Sequence, residues 1–250
     1  MNKYLENLNR IEFVITLACT GRCKHCSEGD HKNVGESINK EVAANAVRKV
    51  CEKYSIQTLM TFGGEPLLCP ETVYAIHTAA KECNIQKRQI ITNGYFSKDI
   101  GKIRSVAERI IDVGINDILL SADAFHQETI PLEYVKEFAK ALLDFGGSIR
   151  LNPAWLVSRT DTNKYNGITQ KILEEFYALG ITAEGGNIIF PSGNAKIYLK
   201  EYFTPENTVS DPYVEDPTDV RSLSFAPDGS VLNGNIYEQD IIDIIKSYTP

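Results

Sequence analysis

The 250-residue chain has no apolar run approaching the roughly 18 residues that a membrane-spanning helix requires. No basic stretch followed by an apolar one opens it, so no secretory leader is expected and a cytoplasmic location is. Positive charge is in deficit: 26 Lys and Arg against 33 Asp and Glu give a formal net charge of −7. Nucleic-acid binders carry a basic footprint, and its lack argues against RNA or DNA as the main partner. Low-complexity tracts and internal repeats are also lacking. Cysteine is scarce and one-sided. There are six, Cys19, Cys23, Cys26, Cys51, Cys69 and Cys83, and none follows. A secreted disulfide framework is short and cysteine-dense; this chain is neither. Reduced thiols in a cytoplasm are the better reading, and clustered reduced thiols suggest metal.

What remains is ordinary globular material, 43% hydrophobic and 24% charged, of a length that fits one barrel-sized domain over residues 1–250. Apolar spacing predicts strands at 10–18, 58–62, 89–92, 117–121, 148–155 and 187–190. Helices are predicted between them, at 37–54, 70–83, 97–113, 131–145 and 166–179. Strands alternating with helices argue for βαβ units and a parallel sheet, closed as a doubly wound sheet or left as an open partial barrel. Residues 198–220 carry Pro205, Pro212, Pro217 and several acids and read as solvated loop. Residues 222–226 and 230–232 flank Pro227-Asp228-Gly229 and read as a hairpin. A short helix over 239–248 closes the chain.

In parallel α/β folds, ligands gather at the carboxyl ends of the strands. The unusual residues fall there repeatedly: the Cys19 group after the first strand, Gly63-Gly64-Glu65-Pro66 after the second, Asn93-Gly94 after the third, Ser121 and Asp123 after the fourth, Asn152 in the fifth and Pro191 after the sixth. This one-sidedness points to a single site. In Cys19-Thr-Gly-Arg-Cys23-Lys-His-Cys26, three soft thiolates select zinc, copper(I) or iron–sulfur. Structural zinc wants four protein ligands, with His25 or His31 available as the fourth. A [4Fe–4S] cube normally takes four cysteines, so three would leave one iron open to a small ligand.

The two motifs together, Cys19-x3-Cys23-x2-Cys26 and Gly63-Gly64-Glu65-Pro66, resemble those of the radical S-adenosylmethionine (radical SAM) superfamily over about residues 11–191. The resemblance implies an α/β fold: an open (β/α)6 partial TIM barrel with a short C-terminal hairpin and helix extension over about 198–250. It implies that Cys19, Cys23 and Cys26 ligate a [4Fe–4S] cluster whose open iron chelates S-adenosylmethionine. Gly63, Gly64 and Glu65 would hold the methionine amino group, Ser121 the ribose or carboxylate, and His25 would lie against the adenine. Asn93 and Asn152 are weaker matches for polar contacts. The implied chemistry is reductive cleavage of S-adenosylmethionine to methionine and a 5′-deoxyadenosyl radical, which abstracts hydrogen from a substrate. An oxygen-sensitive cluster and a one-electron reductant of flavodoxin or ferredoxin type come with it.

Other polar residues have plainer readings. Cys51 and Cys83 lie on apolar helix stripes and read as core, and Cys69 as loop packing. Arg150 reads as a paired structural charge. Asp123 and His126 are balanced between solvated turn and a role toward substrate or nucleotide. The segment Phe225-Ala-Pro-Asp228-Gly229 resembles the opening of the C-terminal extension of peptide-modifying members, yet Leu232-Asn233-Gly234-Asn235 follows where an auxiliary-cluster cysteine is expected. Two substrate classes stay open: a ribosomal peptide or protein side chain, favoured by that remnant, and a small metabolite, favoured by the missing auxiliary clusters. A glycyl-radical activase and a non-catalytic zinc or iron–sulfur module are further alternatives.

Overall fold

Apolar alternation and helix caps set the elements. In the computed structural model, which describes residues 2–29 and 37–250, β1 (Arg10–Val14) leads to α1 (Lys40–Cys51), whose first turn is capped by the Asn39 side chain. Then follow β2 (Thr58–Phe62), α2 (Pro70–Glu82), β3 (Lys87–Thr92), α3 (Ile100–Asp112), β4 (Asp117–Leu120) and α4 (Leu132–Asp144). Asp99 caps α3 in the same way as Asn39 caps α1, and Pro70 occupies the first turn of α2, where its missing N–H costs nothing. Next come β5 (Ile149–Leu151), β6 (Ala154–Trp155), α5 (Lys164–Tyr177), β7 (Asn187–Ile188) and the single-turn α6 (Ala195–Tyr198). The chain ends with β8 (Ser222–Phe225), β9 (Ser230–Val231), β10 (Gly234–Asn235) and α7 (Ile241–Ser247). No helix among the described residues is long and apolar enough to cross a membrane.

Six strands form one sheet in the order β5-β4-β3-β2-β1-β8, every neighbouring pair parallel. Helices α1 to α4 follow its strands, and β6 pairs with β7 as a separate parallel pair, so the sheet is not closed. The expected open α/β partial barrel is therefore present. Its core is built from strand residues such as Ile11, Phe13, Leu59, Ile90, Ile118 and Leu120, and from Ile76, Ala79, Ile110, Phe138 and Leu142 on the helices, all fully buried.

The main departures from the expected strands have local reasons, and the sixth expected strand, over 187–190, is the short β7 paired with β6 outside the main sheet. The first strand was expected to run to residue 18 but ends at Val14. Beyond it Ile15 still donates to Phe62 O (2.8 Å), while residues 16–18 turn to meet the loop after β2. The fifth strand splits into β5 and β6 at Asn152-Pro153, where proline has no N–H for the ladder. The C-terminal hairpin exists, but its arms are β9 and β10. Ser222–Phe225, expected as its first arm, runs parallel to β1 instead, and Phe225 stacks on Phe13 with centroids 4.5 Å apart. Burying one such ring stabilises by roughly 1.5–3 kcal/mol. The extension thus completes one edge of the main sheet through β8.

Candidate functional site

The cysteine loop follows β1 and is gripped from three sides. The first grip is the turn after β2. Gly64 N donates to Thr16 O and Glu65 N to Ala18 O, both at 2.8 Å. A Cβ at Gly64 would overlap the Ala18 carbonyl, and at Gly63, where φ is +135°, it would overlap the Thr16 carbonyl. Only glycine allows two backbones to approach so closely. The glycine pair expected to hold the methionine amino group thus also seats the cysteine loop.

The second grip is the segment after β4. Arg22 N donates to Thr129 Oγ1 (3.0 Å) and Lys24 pairs with Glu128 (2.9 Å). The third is the turn after β7. Buried Asn194 donates from Nδ2 to Cys23 O (3.1 Å) and from its backbone N to Cys26 O (2.9 Å), and Gly193 packs so tightly that a Cβ would overlap the Cys26 and Ser27 carbonyls.

Cys23 is buried, and Cys19 and Cys26 are half-buried. Burial pushes all three thiols up, Cys19 to about 11 and Cys23 further, and the Cys23 thiolate is disfavoured again by the Asp123 carboxylate and by Cys19 and Cys26 nearby. Such thiols stay protonated until a cation replaces the proton. Asn93, buried at the end of β3, reaches the same loop, with Nδ2 at 3.2 Å from Thr20 Oγ1 and 3.7 Å from Cys19 Sγ.

Glu65 is fully buried between β2 and β3. Its Oε1 accepts from Leu67 N (2.9 Å) and Thr92 Oγ1 (2.8 Å), and its Oε2 from Asn93 N (2.8 Å). Burial nevertheless raises its pKa to about 7, the hydrogen bonds offsetting only part of the cost. A carboxylate has about four acceptor sites, so three donors leave capacity for one more.

Asp123 is also fully buried. Its Oδ1 accepts from Phe125 N (2.9 Å) and His126 N (3.0 Å), and its Oδ2 from Ala154 N (2.9 Å) at the start of β6 and from His126 Nδ1 (2.8 Å). Burial alone would raise its pKa, but the His126 ring beside it outweighs that and holds the carboxyl well below the usual range. His126 packs edge-on against His25 (centroids 4.8 Å apart), which also lies against Phe125 (5.1 Å). Burial lowers the His25 pKa to about 4, and its Nδ1 is sealed from solvent with no hydrogen-bond partner among the described residues.

Ser121 and Asn152 stand at the expected carboxyl ends, where Ser121 N donates to Thr92 O and Asn152 N to Leu120 O. Arg150 is elsewhere: it pairs with Asp117 (2.8 Å) at the opposite end of β4 and β5. His31, offered above as a zinc ligand, lies outside the described residues. Sequence reasoning missed Asn194 and the full part of Asp123 and His126; the Pro191-Ser192-Gly193-Asn194 turn composition was the only signal for the first.

The family model described as "Radical SAM superfamily" matches residues 13–148, more than half of the chain. The chain belongs to the radical SAM superfamily. Members use a [4Fe–4S] cluster and S-adenosylmethionine. The residues fit that pair: three soft donors share one loop, and beside them stand a buried carboxylate with an open acceptor site and an unpartnered imidazole nitrogen.

Among curated proteins, this radical SAM chain is 27% identical over 119 residues to a GTP 3′,8-cyclase of Vibrio atlanticus, covering 46% of this chain and 35% of that one. It is 23% identical over 127 residues to a probable GTP 3′,8-cyclase of Methanocaldococcus jannaschii, covering 51% and 40%. The chain thus spans well under half the length of the curated relatives it matches. Among solved structures, it is similar to Streptococcus suis SuiB bound to S-adenosylmethionine (TM-score 0.63, 13% identity, 97% of this chain and 66% of that one). It is similar to native anSMEcpe with bound AdoMet (TM-score 0.60, 14% identity, 96% and 81%). BtrN in complex with AdoMet and 2-DOIA follows at TM-score 0.50, 15% identity, 96% and 83%. At these identities the likeness is one of fold.

Proposed function

We propose that this chain is a radical SAM enzyme in which Cys19, Cys23 and Cys26 hold a [4Fe–4S] cluster and hydrogen is abstracted from a peptide or protein side chain. The observation that carries the reading is the seating of the three-cysteine loop on the Gly63-Gly64-Glu65 turn, with Asn93 beside Cys19 Sγ. When bound, the cluster and S-adenosylmethionine supply one-electron cleavage to methionine and a 5′-deoxyadenosyl radical that takes hydrogen from a substrate carbon.

The chain's own residues bind and orient. The remaining acceptor site of Glu65 accepts from the methionine amino group, and a hydrogen bond to the ionised carboxylate brings its raised pKa back down. The turn's backbone at Gly63 and Gly64 lines the same position. Ser121 and Asn152 offer hydrogen-bonding groups from the ends of β4 and β5, and Asn93 holds the cysteine loop at its Cys19 end. The ring of His25 forms one wall, backed by Phe125. A flavodoxin- or ferredoxin-type reductant delivers the electron.

The peptide assignment is supported by the TM-scores. The likeness to SuiB and anSMEcpe, over 97% and 96% of this chain, has TM-scores of 0.63 and 0.60, against 0.50 for BtrN over 96%. SuiB has also been solved bound to its precursor peptide SuiA. The likeness to the GTP cyclases covers only about half of this chain, and a small metabolite is the second reading on that ground.

Anaerobic reconstitution with iron and sulfide tests the first step. The wild type should develop a brown chromophore and release 5′-deoxyadenosine under reductant. Cys23→Ala should do neither, while Cys83→Ala does both. Deoxyadenosine release by Cys23→Ala would overturn the ligand set. Deuterium transfer from a labelled peptide into 5′-deoxyadenosine, against none from labelled GTP, would decide the substrate class.

A further inference from the structure

One group of metal-ligating atoms cuts across the cysteine trio. Cys23 Sγ and one ring nitrogen each of His25 and His126 all lie within 4.8 Å of one another. His126 comes from the segment after β4, not from the cysteine loop, and its Nδ1 is engaged by the buried Asp123 carboxylate at 2.8 Å. That leaves Nε2 as its ligating atom. A carboxylate behind an imidazole fixes the tautomer and orients the ring, the arrangement that metal-binding histidines recurrently show. His25 brings a buried nitrogen with no hydrogen-bond partner among the described residues. A polar atom so enclosed is costly unless something pairs with it. Tetrahedral bonds of about 2.0–2.3 Å place ligand atoms roughly 3.3–3.8 Å apart, within a small side-chain adjustment of this group.

We propose that, in the cluster-free protein, Cys23, His25 and His126 bind a single zinc-class divalent ion, and that this ion and the iron–sulfur cluster compete for Cys23. One sulfur and two imidazoles form a borderline-soft donor set suited to zinc, and three protein ligands leave a fourth position for water. Cys19 and Cys26 take no part. The sharing of Cys23 makes the two occupants exclusive, so an excess of zinc holds the protein in a state that cannot mature. The competition rests on the radical SAM reading above; the ion site does not.

The test titrates metal-free, anaerobic protein with cobalt(II), then displaces it with zinc. One cobalt per chain is expected, with thiolate charge-transfer and tetrahedral ligand-field bands. His126→Ala should weaken binding at least tenfold, whereas Cys19→Ala and Cys26→Ala should leave it within twofold. Loss in Cys26→Ala with retention in His126→Ala would mean an ion held by the cysteines and would overturn the proposal, as would a wild type without tetrahedral bands. Should His126→Ala fail to fold, X-ray absorption of the zinc-loaded wild type decides: one sulfur and two nitrogens support the site, three sulfurs sink it. One equivalent of zinc should slow iron–sulfide reconstitution at least tenfold in wild type and not in His126→Ala; equal slowing in both would remove the competition. A wild type that never forms a cluster, with or without zinc, would instead fail the family-based reading and leave the cobalt result standing.

Discussion

The turn after β2 and the segment after β4 each bury one carboxylate at the same end of the sheet, and the two behave in opposite ways. Glu65 and Asp123 are equally inaccessible, and each accepts at least three hydrogen bonds. Glu65 has its pKa pushed up to about 7, whereas Asp123 is held well below the ordinary carboxylate range. The difference is a neighbour. Asp123 has the His126 ring at 2.8 Å, while the donors on Glu65 are two backbone amides and a hydroxyl. One carboxylate is already matched and serves as a structural tie between β4, β6 and the cysteine loop's neighbour His126. The other is an acceptor with its partner still to come, which is what a site for a cationic ligand group needs.

The largest expected effect comes from removing the matched group. Asp123→Ala strands three backbone amides and His126 Nδ1 in a dry setting, and breaking such a buried pair costs about 3–5 kcal/mol. Urea unfolding of the cluster-free protein measures it. A loss under about 1 kcal/mol would show that the tie is dispensable and that the two regions are not different in kind.

Glu65→Gln tests the other side. A carboxyl whose folded pKa exceeds its unfolded value contributes fully below the unfolded value, near 4.5, and that contribution is lost as pH rises through about 7. Wild-type stability should therefore decline over that window relative to Glu65→Gln, by up to roughly 3 kcal/mol at about 1.4 kcal/mol per pK unit. Asp123 has the reverse sign: its contribution is present above the usual aspartate value and disappears only in stronger acid. S-adenosylmethionine binding near pH 6.5 should release more protons from wild type than from Glu65→Gln, which calorimetry in buffers of different ionisation enthalpy detects. Equal proton release from both would mean that Glu65 does not face the amino group.

These contrasts also mark what could be read in advance. The Cys19, Cys23 and Cys26 spacing, the Gly63-Gly64-Glu65 turn and the positions of Asn93 and Ser121 are local patterns, and their chemistry is carried by residue type. The βα alternation was legible for the same reason. Contacts between distant segments were not. Asn194 reaches Cys23 O across 171 residues, and Asp123 meets Ala154 across 31. β8 is instructive: the local turn at residues 227–229 forms as its composition demands, with Ala226 N on Ser230 O (2.9 Å). Yet the strand's partner is β1, more than 200 residues away. Alternation along a strand says which face is buried and nothing about which neighbour it will find.

A third carboxylate sharpens the comparison at its weak end. Asp117, at the start of β4, opposes burial with Arg150, Gln89 and Lys87, and its pKa is lowered as that of Asp123 is. It is only partly enclosed and stands at the opposite end of the strands from the cysteines. Arg150→Met leaves Asp117 its bond from Gln89 Nε2 at 2.7 Å and its ion pair with Lys87 at 3.3 Å, so solvent and two remaining partners absorb the change. Pairs of this kind are worth about 1 kcal/mol or less. The variant should lose no more than that in urea unfolding and should match wild type in cluster content and in S-adenosylmethionine affinity. A loss of either binding property would mean that charge pairing at the far end of the strands sets the site's geometry, and that place in the fold does not separate the matched carboxylates from the waiting one.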